Sequence, residues 1–139
     1  MPLSSEDRLD ILELAARYSR ALDRGEPDTL REVFTENAIW ESSAAGERRG
    51  HEAIISEFRD RATQAHTRKH WISNPVIEGD GNSATMTLDL LVFHLDGGDL
   101  QLGTSGTYED RLDRGTKGWR IAHRKISVDG QRSGFRTHR

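Results

Sequence analysis

Residues 84–112, which read ATMTLDLLVFHL, DGGD and LQLGTSGTYEDRL, decide the fold class. Four apolar side chains of one parity follow one another in the first part: Met86, Leu88, Leu90 and Val92. This alternation is typical of a β-strand with one buried face. The two glycines of residues 96–99 supply the positive φ angles of a tight turn. The stretch therefore predicts a β-hairpin that joins strands over residues 84–95 and 100–112.

Two further strands are predicted on either side of the hairpin, over residues 70–78 and 119–128. Short connections at residues 79–82 and 113–118 join them to it, so the four strands form an antiparallel meander. The last stretch, residues 130–139, contains three arginines and no acidic residue, and it is predicted to fray as a tail beyond a core of residues 6–129.

Helices are predicted ahead of the meander. The first begins at Ser4 or Ser5, ends near residues 23–25, and has an apolar stripe at helical spacing: Leu9, Ile11, Leu12, Ala15, Tyr18 and Leu22. Weaker patterns follow it: a short helix opened by residues 26–28, a strand over 38–41, a polar loop over 42–50 and a helix over 51–65. Helices followed by a meander predict a single α+β domain, a cone-shaped barrel of helices packed on a strongly curved, mostly antiparallel sheet. The open mouth of such a cone is a natural pocket for a small-molecule substrate.

The composition excludes several classes of function. The 20 basic and 23 acidic residues give a net charge of −3 over 139 residues, which argues against a nucleic-acid partner. The chain has no cysteine, so disulfides and thiol nucleophiles are excluded, and no histidine spacing is typical of a metal site. We therefore predict no metal site. No apolar run reaches the roughly 20 residues of a membrane span, and the N-terminus lacks a signal-peptide core, so a cytoplasmic protein without membrane contact is expected.

Two histidines and one aspartate are the first candidates for chemistry. His70 and His94 lie near the ends of apolar rows on neighbouring strands, and Asp23 lies where the stripe of the first helix ends. A carboxylate beside a histidine fixes the imidazole tautomer and stabilises the charged ring, so the pair can move protons near neutral pH. The alternatives are a hydrogen-bonded core histidine at His70, an aspartate that caps its helix, and an exposed hairpin residue at His94.

Four further residues are candidates for substrate binding. Tyr18 faces inward on the first helix, where its hydroxyl could donate to a substrate oxygen or be satisfied in the core. Asn74 and Tyr108 have the parity of the inward-facing rows of their strands and are predicted to line the pocket. Arg124 has the parity opposite to Ile121, so it would bind an oxyanion if it faces the pocket and form a surface ion pair if it does not.

Several segments of residues 6–129 resemble, in their order and spacing, the SnoaL-like branch of the nuclear transport factor-like superfamily. They are YSRALDRG (18–25), LREVFTENA (30–38), GHEAI (50–54), RKHWISN (68–74), GTYED (106–110) and GWRI (118–121) with Arg124. The resemblance implies the cystatin-like fold. Within this branch the chain is most similar to the scytalone dehydratase and hexachlorocyclohexane dehydrochlorinase families, which use a His–Asp pair and no cofactor.

This resemblance places the helix-end aspartate of those families on Asp23, their strand histidine on His70 and the second histidine of the dehydratases on His94. The tyrosine before the aspartate is Leu22 here, and the strand asparagine falls near Glu109. The resemblance implies a lyase or isomerase that acts on a small, partly apolar substrate, cyclic or of polyketide, steroid or terpenoid type. The reaction that the resemblance implies is dehydration or another proton abstraction with elimination.

A non-catalytic function is the alternative, namely a ligand-binding or assembly module like the small subunit of aromatic-ring dioxygenases. Relatives associate through the outer face of the sheet, which implies a homo-oligomer, either a dimer or a trimer. The residues predicted to form that face have alternating parity on one strand: Thr85, Thr87, Asp89, Leu91 and Phe93.

Overall fold

A computed structural model describes residues 1–132 and confirms the α+β class. Its helices are α1 (Ser5–Arg24) and α2 (Gly50–Asp60), with 3-10 helices at Pro27–Glu32 and Ala62–Gln64. Its strands are β1 (Phe34–Ser42), β2 (Gly46–Arg49), β3 (Arg68–Asp80), β4 (Ser83–Asp96), β5 (Asp99–Gly115) and β6 (Gly118–Gln131). The predicted frayed tail lies for the most part at residues 133–139, outside the described residues, but its first two residues end β6.

The six strands form one sheet in the order β2-β1-β6-β5-β4-β3. The meander is confirmed as β3 to β6, and β1 joins its end by pairing parallel to β6. The polar loop predicted over residues 42–50 is wrong, because β2 pairs there with β1 in an antiparallel hairpin. This edge strand, GERR, has no apolar alternation because it is held by backbone pairing and buries neither face.

Helix α1 is fixed at both ends by local chemistry. Ser4 and Asp7 form a capping box at its start, and Gly25 ends it in the left-handed conformation at φ 67°. Asp7 also accepts hydrogen bonds from Trp119 and Arg114, which attach the helix to β6 and β5. The Ser4 backbone N–H and the Trp119 indole hold the pKa of Asp7 below its usual value. Leu9 is 66% exposed, so its predicted place in the buried stripe is wrong.

Bulges in three strand pairs change which side chains face the core. The register shifts between Ser73 and Val76 where β3 pairs with β4, and between Val92 and Phe93 where β4 pairs with β5. It shifts again between Arg111 and Leu112 where β5 pairs with β6. A bulge of one residue reverses the parity beyond it. Ile121 and Arg124 are therefore both buried, although they have opposite parity.

The core lies between α1, α2 and the concave face of the sheet, and includes the predicted row of β4. None of the helices in residues 1–132 combines the length and apolar character that crossing a bilayer requires.

Candidate active site

Asp23 and His70 meet where α1 ends against the beginning of β3. Nδ1 of His70 lies 2.7 Å from Oδ1 of Asp23, and the backbone N–H of His70 donates to both carboxylate oxygens at 3.1 and 3.2 Å. The backbone N–H of His66 donates to the Asp23 carbonyl oxygen at 2.9 Å, which holds the incoming chain on the helix end. The contact predicted between the two side chains is therefore formed.

The contact also fixes the tautomer of the imidazole. An ionised carboxylate can only accept hydrogen bonds, so Nδ1 of His70 carries the proton and Nε2 presents its lone pair. The His70 side chain is 6% exposed and that of Asp23 is 15% exposed. Nε2 of His70 is buried, and no group within residues 1–132 hydrogen-bonds to it. A bound molecule that donates a hydrogen bond to Nε2 would give this buried acceptor the partner that residues 1–132 do not provide.

The pair lies in the wall of a cleft of about 540 Å³. Apolar side chains contribute part of its lining: Ala16, Trp71, Ile72 and Leu95. Charged side chains of α1 and β3 contribute most of the rest, together with His66 from the loop before β3, and Ser19 lies one helical turn before Asp23. A smaller chamber of about 30 Å³, close to the size of one water molecule, adjoins Leu22 and Phe58. Arg68 and His70 border both spaces.

Tyr18, Tyr108 and Arg124 do not lie in this cleft but in the core, where each is fully buried. The Trp40 indole N–H donates to the Tyr18 hydroxyl at 2.9 Å. Burial raises the pKa of Tyr18 and raises that of Tyr108 further, so both stay neutral. The substrate contacts predicted for these three residues are not formed at the cleft, because each side chain packs against the others in the core.

Asn74 and His94 also lie outside the lining of the cleft. Asn74 has a positive φ of 55° in the bulge of β3, and its side chain donates to exposed Asp89 at 2.7 Å. The prediction that Asn74 lines the pocket is therefore wrong, since the bulge turns it to solvent. His94 is half-buried and lies opposite Arg68 in the register of β3 and β4, and its contact with substrate stays a prediction.

Arg68 and Ser19 also line the cleft, and both could have been predicted from the sequence. Arg68 precedes His70 by two residues in the same strand, so parity places the two side chains on one face. Ser19 precedes Asp23 by four residues on α1, so helical spacing places them on one side. Over residues 1–132, no three His, Asp or Glu side chains come together in a way that could hold a metal ion.

Comparisons with known proteins agree with this architecture. A family model described as a SnoaL-like domain matches residues 4–125. A search of curated proteins finds no match. A Nostoc punctiforme protein of unknown function with a cystatin-like fold is 28% identical, with a TM-score of 0.83 and coverage of 93% of this chain and 96% of that one.

Two other solved structures have similar scores. An NTF2-like protein with a cystatin-like fold from Novosphingobium aromaticivorans is 26% identical, with a TM-score of 0.82 and coverage of 92% of this chain and 86% of that one. A variant of Rv3472, a Mycobacterium tuberculosis protein of unknown function, is 27% identical, with a TM-score of 0.81 and coverage of 90% of this chain and 73% of that one.

Proposed function

The chain belongs to the SnoaL-like domain family, and on that premise we propose that it is a cofactor-independent lyase or isomerase. The family contains isomerases and dehydratases. The observation that carries the proposal is the 2.7 Å contact between Asp23 and Nδ1 of His70, together with the buried Nε2 on the other side of the ring, to which no group of residues 1–132 hydrogen-bonds. This is the arrangement that a histidine base requires.

In the proposed reaction, Nε2 of His70 takes a proton from a carbon next to a carbonyl group or a leaving group. The electron pair of the broken C–H bond forms a double bond, and in an elimination it expels the leaving group. Asp23 stabilises the imidazolium that forms. The imidazolium, a water molecule or His94 then returns a proton to the departing oxygen, so that dehydration releases water.

The lining of the cleft supports a small, partly apolar substrate. Its volume of about 540 Å³ falls within the usual range for small-molecule sites. Ile72 and Leu95 offer apolar surface beside the charged pair. A ring of the cyclic, polyketide, steroid or terpenoid type would pack on that surface while its polar end meets His70.

The proposal is tested by replacing the two residues separately, as His70→Gln and Asp23→Asn. Proton abstraction is followed by NMR as deuterium uptake from D₂O into a panel of cyclic ketones that includes 1-tetralone and carboxylated analogues. We expect His70→Gln to slow the exchange by about a thousandfold, because general-base catalysis contributes roughly 10²–10⁴. We expect Asp23→Asn to slow it by about a hundredfold, because the imidazole loses its orienting charge.

His123→Gln is the matched control for this experiment. His123 is also paired with a carboxylate, Glu41 at 2.9 Å, but it lies outside the lining of the cleft. It should keep the activity of the unaltered protein. Equal exchange rates in the unaltered protein and both folded dyad variants would contradict the proposal. Co-purification with a large iron-containing subunit would instead favour the assembly module.

We also propose that the protein is a homo-oligomer whose copies meet through the outer face of the sheet. This face carries exposed apolar side chains on three neighbouring strands, which include Trp71 on β3, Leu91 on β4 and Leu102 on β5. Contiguous exposed apolar surface is typical of a protein contact.

A further inference from the structure

The cleft around Asp23 and His70 is positively charged, although the chain has a net charge of −3. Four cations line it: Arg20, Arg24, Arg68 and Lys69. Asp23 is the one carboxylate among the described residues of the lining, and its oxygens already accept hydrogen bonds from His70. A cleft lined by one sign of charge attracts the opposite charge and raises its local concentration.

Arg68 has the position closest to the chemistry. It lies two residues before His70 on the same face of β3, which separates the two Cα atoms by about 7 Å at the usual rise of a strand. It borders both the cleft and the small chamber, whereas Arg20, Arg24 and Lys69 are exposed at the rim.

The surroundings of Arg68 add to its positive charge. Arg61 also borders the small chamber, where its guanidinium pairs with Glu57 at 2.7 Å and its positive charge still acts on Arg68. Burial, and after it the positive charge of Arg61, lower the pKa of Arg68, which nevertheless stays protonated as arginines do.

Resting on the proposed function, we infer that the substrate of this cleft carries a carboxylate and that Arg68 binds it beside the His70 base. A guanidinium can donate two parallel hydrogen bonds to the two oxygens of a carboxylate, which fixes the orientation of the bound acid. The spacing of Arg68 and His70 suits a small acid whose reacting carbon lies a few bonds from the carboxylate. The apolar side chain of Ile72, on the same face of β3 as His70, then contacts the remainder of the molecule.

The inference is tested by calorimetric binding of 2-naphthoate and of 2-acetonaphthone, a neutral ketone of similar size. We expect the unaltered protein to bind 2-naphthoate at least about tenfold more tightly, a difference of about 1.4 kcal/mol. Arg68→Gln should abolish this preference. Arg111→Gln is the control for loss of one positive charge, because Arg111 is exposed on β5 and pairs with Asp113 at 3.1 Å. This control should retain the preference.

Two further variants keep the test decisive. Arg68→Lys retains the charge without the paired donors, so it should weaken 2-naphthoate binding several-fold even if Arg68→Gln does not fold. His70→Gln should retain the preference for the acid while losing catalysis, which separates this inference from the proposed function. Equal binding of the acid and the ketone by the unaltered protein, or an undiminished preference in folded Arg68→Gln or Arg68→Lys, would overturn the inference. Competition by inorganic phosphate as effective as that by acetate would show a general oxyanion site and overturn the assignment to carboxylates.

Discussion

Arg124 carries a full charge into the core and depends on a single carboxylate. Its guanidinium donates to both oxygens of Asp110 at 2.8 and 2.7 Å and lies over the rings of Tyr18 and Tyr108, 4.3 and 4.1 Å from their centroids. Although burial opposes the charge, Asp110 raises the pKa of Arg124 above its usual value. The aromatic faces add favourable cation–π contact. The buried charge of Arg124 is therefore tolerated only while Asp110 is present.

We predict that Asp110→Asn lowers the free energy of unfolding by about 3–5 kcal/mol, because it leaves the charge of Arg124 buried without its partner. Urea unfolding followed by circular dichroism measures the loss. The double variant Asp110→Leu with Arg124→Met is the control. It removes both charges from the core and should recover a large part of the stability, since apolar replacements of buried ion pairs are often neutral or stabilising. A loss below about 1 kcal/mol in Asp110→Asn would contradict this account.

The sequence predicted the charged pair of the cleft, Asp23 and His70, better than it predicted the buried Arg124. Asp23 and His70 could be paired because each lies at the end of an apolar row, and the ends of α1 and β3 come together. The burial of Arg124 could not be predicted. The bulge opposite Leu112 changes the parity of β6, and no residue of the sequence signals this bulge. Asn74 differs, because Pro75 follows it, and a proline inside a strand signals a bulge or an edge, so its turn to solvent could have been predicted. Parity predicts direction only as far as the first bulge.

Among the elements, the end of α1 does most to position the candidate base. Gly25 ends the helix at φ 67°, and a Cβ added there would lie 2.8 Å from Cβ of Ala65. We predict that Gly25→Ala lowers the free energy of unfolding by about 1–2 kcal/mol for the left-handed conformation, with a further loss from this contact. It should also slow the deuterium exchange, since the helix end that carries Asp23 must shift.

Gly97→Ala is the matched control for this prediction. Gly97 also has a positive φ, 56°, but a Cβ added there meets no atom of residues 1–132 within 4 Å, and it lies in the turn between β4 and β5. The Gly97→Ala variant should show only the loss of stability from the left-handed conformation, and it should retain activity. Equal stability loss and equal activity in the two variants would show that contact with Ala65 does not position Asp23.

The elements themselves were largely predictable, and their boundaries were less so. The capping serine and Gly25 predicted the two ends of α1, and the glycines between β4 and β5 predicted the turn of the hairpin. Strand β2 could not be predicted, because its residues, Gly46–Arg49, bury no apolar face and its pairing with β1 is made by the backbone. Backbone pairing of this kind depends on where β1 lies in space, which local sequence does not encode.

In the molecule as a whole, the outer face of the sheet carries exposed apolar side chains that favour contact with another copy. The bulge opposite Val92 turns the apolar start of β5 outward, so the predicted face on β4 extends onto both neighbouring strands. Trp71, 58% exposed, packs edge-to-face on Phe93 at 4.8 Å, and Leu102, 53% exposed, lies opposite Phe93 on β5. The apolar part is thus concentrated at one end of the face, and Thr85 and Thr87 lie outside it.

We predict that the protein is a dimer or a trimer at micromolar concentration and that Leu102→Lys shifts it to a monomer. The new charge would be desolvated at the contact between copies, which is costly without a countercharge. Size-exclusion chromatography with light scattering measures the molar mass. Leu9→Lys is the matched control, because Leu9 is a leucine of similar exposure on α1 and the same change there should leave the mass unaltered. A monomeric unaltered protein, or an oligomer that survives Leu102→Lys, would mean that the copies do not meet through this face.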